Sequence, residues 1–401
     1  MARGAPRRRV ASRAALLAAA WALAFPARAQ TVGESELVFG MTGPLSGPAK
    51  EMGAAVRTGI EAAFAAQNAA GGVHGRRLRL VALDDGFEPS RTAAALRELV
   101  QTHRIFALLG CIGTPGAEVA VPFANERGIL YFGAVSGASF LRNNPPDRYV
   151  FNYRASHAEE TAALVRYLVE VQRVPPARIA VFAQDDAFGD AGFEGVARIM
   201  RQYRHDPAKV LRLSYRRNTA DVEDAAQVLV KRAKDVGAVV MVATHKPAAR
   251  LVERLRNARV KELLFTNVSE VGANTLAEEL AQLGAGYAQG VVVTQVVPLP
   301  TSDTATIARY QDELRRFGGG ERPGFMSLEG WLAARLLVEG LQRAGRSLDT
   351  DRLIDALERM KGLDLGLGAP VGFGPSEHQA SHAVWGTVMD ARGQLHPVEL
   401  Q

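Results

Sequence analysis

The sequence predicts an α/β fold built on two parallel sheets, each covered by helices on both faces. Three observations carry this. Short apolar runs alternate with amphipathic helical stretches along most of the chain. The runs are nearly continuous in character, as in "IFALLG" and "AVVMVAT", which suits strands buried on both faces. Between two blocks of this rhythm lies "RYVFNYRAS", an extended segment suited to passing from one sheet to another. The 401 residues leave room for two domains, and 47% hydrophobic against 22% charged residues favours folded cores over disorder.

The chain opens on "MARGAPRRRVASR", a basic stretch, then "AALLAAAWALAF", then the small-x-small site "ARA". That order predicts an export signal over residues 1–29, too short in its apolar part to span a membrane. Arg7-Arg8-Arg9 also allows twin-arginine export. No Cys follows the apolar part, so no lipid anchor is expected. The signal holds six arginines and no acid, which accounts for the whole formal charge of +6. The remainder is balanced, so its charge gives no reason to expect a nucleic-acid partner. The expected location of the exported chain is the periplasm.

The first sheet is read from about Glu36 to Asn152. "ELVFGM" leads to "AAVRTGIEAAFAAQNAAGG", "RLRLVALDD" to "PSRTAAALRELVQTH", "IFALLG" to "GAEVAVPFANERG", and "GILYFGA" follows. The second runs from about Ala155 to Thr294. It pairs "ARIAVFAQDD" with "GFEGVARIMRQY", "KVLRLSY" with "VEDAAQVLVKRAKDVG", and "AVVMVAT" with "AARLVERLRNA" before "ELLFTN". Prolines stop a strand in "GVVVTQVVPLP", marking a second crossing. Two long helices follow, "TATIARYQDELRRF" and "SLEGWLAARLLVEGLQRAG", and "HAVWGTVMDARGQLHPV" reads as a strand pair. Ligands of open α/β sheets bind beyond the carboxyl ends of the strands, so two facing lobes predict a cleft between them.

One strand end stands out. In "LLGCIGTPGAEVA", Thr114 is a candidate N-cap and Pro115 suits the first helical position. Gly110, Gly113 and Gly116 allow tight turns and close approach of a ligand to backbone. A helix start offers free N–H groups to a negative group. No Lys follows, so a phosphate loop is not matched and a carboxylate fits better. Taken alone, the stretch is more often an ordinary helix cap. The next strand end, "YFGAVSGASFLR", adds Ser136 and the backbone of Ala134 on the same rim. Two adjacent hydroxyl-bearing helix starts suggest an anion cradle. Cys111, the sole cysteine, lies at the same strand end and reads as a small hydrophobe.

"FGMTGPLSGPAKEMG", "NAAGGVHGRRLRLVALDDGFEP", "LLGCIGTPGA" and "RIAVFAQDDAFGDAG" together resemble the type I periplasmic solute-binding proteins of ABC transporters, in particular the branched-chain amino-acid (Leu/Ile/Val) branch. The resemblance covers nearly all of residues 36–390. It implies two Rossmann-like lobes joined by three crossings, the third near "PVGFGPSEH", with residues 36–153 and 296–366 in the first lobe and 154–295 and 367–401 in the second. It also implies a ligand site. Thr114 matches the hydroxyl that grips the ligand carboxylate, with Ala134 and Ser136 as neighbours. Phe188 matches an aromatic ring against the ligand, His245 a second-lobe contact, and Met52 a position where some members carry Trp. Gly113, Asp185 and Lys246 are further candidates.

The match departs at the ammonium site. Amino-acid binders place an acid after the strand that here is "LLFTN". The ungapped match is Ser269, and Glu270 comes one residue late. An unpaired buried ammonium is expensive, so a carboxylate without an α-amino group is an expected ligand unless the loop shifts by one residue. Arg154, on the crossing, is read as a surface lobe-to-lobe ion pair.

Other chemistry finds no support. His378 and His382 in "SEHQASH" follow Gly-Pro and lack the helical His-Glu-x-x-His order of zinc proteases. No Gly-x-Ser-x-Gly elbow or Gly-x-Gly-x-x-Gly loop occurs. No cofactor is expected. The reading is a monomeric receptor that closes over a small carboxylate and delivers it to an inner-membrane permease. A sensory module with the same lobes, or an enzyme using the same cleft, are the rival functions. Replacing Thr114 and Ser136 together by Ala is expected to weaken ligand binding by at least about tenfold in calorimetry, while the protein remains folded.

Overall fold

A computed structural model of the chain describes residues 32–260 and 262–401; the expected export signal lies outside them. The first sheet is fully parallel, with order β2-β1-β3-β4-β5. Its elements are β1 (Glu36–Gly43), α1 (Lys50–Ala69), β2 (Arg77–Asp84), α2 (Pro89–Gln101), β3 (Ala107–Leu109), α3 (Thr114–Arg127), β4 (Leu130–Phe132) and β5 (Val150–Phe151). The second part continues with α4 (His157–Arg166), β6 (Ile179–Gln184), α5 (Ala187–Gln202), β7 (Leu211–Tyr215), α6 (Glu223–Lys231), β8 (Ala238–Val242), α7 (His245–Asn257), β9 (Leu264–Asn267), α8 (Ala273–Gln282) and β10 (Val292–Gln295). Helices α9 (Ala305–Phe317), α10 (Phe325–Ala344) and α11 (Thr350–Glu358) then precede β11 (Trp385–Met389) and β12 (Leu395–Val398). The second sheet has order β12-β11-β10-β9-β8-β6-β7, with all strands parallel except β11, which pairs antiparallel with both β10 and β12.

The predicted two-lobed architecture is present, and the burial explains its sequence rhythm. Every residue of β6 and of β8 is buried, as expected for strands with helices on both faces. Strand order reverses beside β1 in the first sheet and beside β6 in the second. Those switch points are where open α/β sheets leave a crevice at their carboxyl ends.

After β10 the chain returns to the first lobe, where α10 lies against α1. Small residues set the spacing. A Cβ on Gly59 would come within 1.9 Å of the Ser327 carbonyl oxygen, and one on Gly330 within 2.3 Å of that of Val56. The two backbones therefore touch, and Trp331 beside them donates Nε1–H to Glu313 Oε2 at 2.7 Å. The first and third crossings run side by side. Asn152 N donates to His378 O at 2.7 Å, Ala380 N to Asn152 O at 2.8 Å, and Ser381 N to Tyr153 O at 3.0 Å. His378 lies in this extended segment, with its ring stacked on Phe151 at 3.7 Å.

Gly59→Ala is expected to lower the thermal midpoint by a few degrees, corresponding to about 1–3 kcal/mol of overpacking, despite the better helix propensity of Ala. Circular-dichroism melting measures it.

Candidate functional site

The site forms where the strand ends of the two sheets face each other. On the first lobe, α3 starts at Thr114, and Gly113 at φ 98° is the residue before it. Only Gly fits there easily: a Cβ would meet the Phe87 ring at 2.4 Å. Thr114 is thus the first helical residue and not the cap. Its hydroxyl is turned instead to Ser136, with Oγ1 to Oγ at 2.7 Å and both residues fully buried. The Gly113 amide is spent on Val135 O at 3.1 Å, which pins the two loops together. The loop after β4 does not start a helix of the expected kind. It forms only a three-residue 3-10 turn, Ser139–Leu141. The pair of helix starts read from the sequence is therefore one helix start and one loop. Ala134 is buried on the same rim, and Met52 is buried in the first turn of α1.

The second lobe brings Phe188 at the start of α5, His245 at the start of α7, and Ser269 and Glu270 in a short turn after β9. At the centre stands a residue that the sequence reading missed, His157. Its Nε2 lies 3.0 Å from Gly137 N, 3.2 Å from Glu270 Oε2 and 3.5 Å from Thr114 Oγ1. Its ring packs 5.1 Å from that of Phe188. His157 thereby gathers Thr114, Ser136, Phe188 and Glu270 into one cluster. The local signal was the capping box Ser156-His-Ala-Glu159, present in the structure, which marks the start of α4.

Arg154 is not at the surface, as its sequence position suggested, but fully buried. Its Nη2 donates to Glu160 Oε1 at 3.0 Å and to the Ser269 hydroxyl. Its Nη1 lies 3.5 Å from Glu329 Oε1 on α10. Glu160 Oε2 also accepts from Ser269 N at 2.8 Å and from Thr294 Oγ1 at 2.7 Å. Ser269, the ungapped ammonium-site match, is thus taken up by the crossing. Glu270 carries the carboxylate that faces the cluster. It is fully buried, and neither of its oxygens has a hydrogen-bond partner.

These contacts set the charges. Burial alone would raise the Glu160 carboxyl, but the neighbouring His157 and Arg154 outweigh it and hold Glu160 well below the usual range. Burial dominates at Glu329, against the pull of Arg154, and pushes it up to about 7. Burial disfavours protonated His157, yet Glu160 and Glu270 prevail and raise its pKa. The same His157 nitrogen cannot both accept from Gly137 and donate to Glu270. Neutral, Nε2 accepts from Gly137 N; protonated, it donates to Glu270. His245 is the opposite case: burial pushes it down to about 4, so its ring is neutral at pH 7.

The lobes are latched at the rim. Arg217 bridges Glu88 and Asp186 at 2.8 Å each, and Asn218 Nδ2 donates to Gly86 O at 3.0 Å and Glu88 Oε1 at 2.6 Å. Asp185 is exposed and outside the cluster, and Lys246 is half-buried beside His245. A groove of about 840 Å³ on the second lobe, beside Arg166, Arg198 and Trp385, shares no residue with the cluster.

The sequence matches the periplasmic binding protein family over residues 36–394. The chain belongs to that family. Its relatives include the Leu/Ile/Val-binding protein of Escherichia coli K12, 25% identical over 282 residues, covering 70% of this chain and 72% of the relative. A possible leucine/isoleucine/valine-binding protein from Rhodopirellula baltica is 37% identical, with a TM-score of 0.86 over 92% of this chain and 98% of the other. A branched-chain amino acid ABC transporter protein from Thermus thermophilus, solved with bound valine, shares the fold at 20% identity, with a TM-score of 0.79 over 92% of this chain and 96% of the other. The family members are substrate-binding proteins of the type I periplasmic kind. Among the described residues of this binding protein, no helix is long and apolar enough to cross a membrane.

Arg154→Met would leave Glu160 and Glu329 buried without their cation. It is expected to destabilise the binding protein by about 3–5 kcal/mol, read as a lower urea midpoint.

Proposed function

We propose that this chain is the periplasmic substrate-binding component of an ABC importer and that its ligand is a small α-amino acid. The ligand carboxylate is received by Thr114, Ser136 and the start of α3, and its ammonium by Glu270. The observation that carries the reading is the Glu270 carboxylate, fully buried with both oxygens free of hydrogen bonds. A buried carboxylate that makes no hydrogen bond, with the His157 ring nitrogen 3.2 Å from one oxygen, is costly, and an ammonium supplies up to three donors. Phe188 packs beside this end of the cleft through His157. The names of the relatives, which include Leu/Ile/Val-binding proteins, agree with an amino-acid ligand.

The crossings at residues 152–156, 296–304 and 373–384 serve as the hinge. Ligand contacts on both lobes favour the closed state, and the Arg217 latch adds to it. The closed, loaded form is what a permease would recognise.

One observation favours a second reading. His157, 3.2 Å from Glu270 and with its pKa raised by the neighbouring carboxylates, is a built-in cation when protonated, which would suit a carboxylate lacking the α-amino group. A thermal-shift and calorimetric comparison of amino acids with their deaminated analogues separates the two. Occupancy raises stability by RT ln(1 + [L]/Kd). The expected result is that amino acids shift the melt and bind, that the analogues do not, and that Glu270→Gln weakens amino-acid binding at least about tenfold. Binding of the deaminated acids alone would replace this reading with the second.

A further inference from the structure

A second set of unsatisfied groups lies at the outer part of the cleft, and no role for it follows from the ammonium and carboxylate sites. His245 begins α7 at the carboxyl end of β8 on one lobe, and Glu51 lies in the first turn of α1 beyond β1 on the other. His245 Nε2 is 3.7 Å from Glu51 Oε2 and 3.6 Å from Glu279 Oε1 on α8, and its side chain is only 3% exposed. These separations exceed hydrogen-bond length, and neither His245 Nε2 nor Glu51 Oε2 has a hydrogen-bond partner. The ring is neutral at pH 7, so the contacts are not ion pairs. Burial also raises the Glu279 carboxyl, with Lys246 opposing. The half-buried Lys246 is the cation in the group, and its influence reaches both His245 and Glu279.

The loop before His245 is tied to the loop that carries Glu270. Asn267, at the end of β9, receives a hydrogen bond from Ala243 N at 3.3 Å and donates to Ala243 O at 3.2 Å.

We infer that His245, Glu51 and Glu279 form a side-chain subsite for an amino acid whose side chain ends in a hydrogen-bond-donating nitrogen, such as an amide, ureido or guanidinium group. Two carboxylates and an imidazole converge there. His245 Nε2 lies 3.6–3.7 Å from the two carboxylates, too far to bond them, and a donor nitrogen beside these groups would reach more than one of them at hydrogen-bond distance. A branched aliphatic side chain would leave the two buried atoms, His245 Nε2 and Glu51 Oε2, unpaired, and sites built on unpaired polar groups discriminate strongly against such ligands. The inference rests on the amino-acid reading of the cleft.

Calorimetry with glutamine, citrulline and arginine against leucine, isoleucine and methionine tests it, on the native chain and on a His245→Phe, Glu51→Leu double variant whose fold is checked by circular dichroism. The expected result is that at least one donor-bearing ligand binds at least tenfold more tightly than every aliphatic one, and that the double variant loses this preference. Tighter binding of leucine or isoleucine would overturn the subsite while leaving the amino-acid reading intact. So would a preference for the donor-bearing ligand unchanged in the variant. Failure of every α-amino acid to bind, with deaminated acids binding instead, would overturn the amino-acid reading and the subsite with it.

Discussion

Arg154 is the constraint on which the centre of the molecule depends. A fully buried guanidinium is tolerable only with carboxylates beside it, and Arg154 has Glu160 and Glu329. Those partners come from α4 and α10, while the Ser269 hydroxyl on the same nitrogen comes from the turn after β9. One side chain on the first crossing thus links both lobes and the loop that carries Glu270. Arg154 is committed to Glu160 and Glu329, and Ser269 to Arg154. Glu270, one residue on, is left without a hydrogen bond on either oxygen, one of them 3.2 Å from His157 Nε2. The buried acid facing the cleft follows from how the hinge is built.

The rim works on a different scale. Arg217 and Asn218 hold Glu88 and Gly86 across the cleft mouth through partly exposed contacts. Such pairs contribute little each and yield readily to water. On the proposed reading, a weak rim and an interior with unmatched acceptors favour closure on a ligand that brings matching donors.

The βα rhythm was legible because it is local: apolar runs of strand length between amphipathic stretches fix elements without reference to distant residues. Thr114 and Ser136 could be paired for the same reason, since consecutive strands in a parallel sheet deliver their ends to one rim. Ser269 and Glu270 could not be resolved. A three-residue turn, Ser269–Val271, decides which of the two faces the cleft, and that turn depends on Arg154 and Glu160 more than a hundred residues earlier. The burial of Arg154 was hidden likewise, because Glu329 arrives from a helix that follows the return crossing. His157 sat behind a capping signal that gives where α4 starts but not what its first side chain meets. Thr114 was misread as a cap because the hydroxyl finds Ser136, a partner 22 residues away, in place of its own helix.

The most direct measurement is a crystal structure of the chain with its tightest-binding amino acid. The account predicts the ligand nitrogen about 2.7–3.2 Å from a Glu270 carboxylate oxygen, with the ligand carboxylate on Thr114 and Ser136. A ligand whose nitrogen points away, with Glu270 still held by His157 alone, would contradict it.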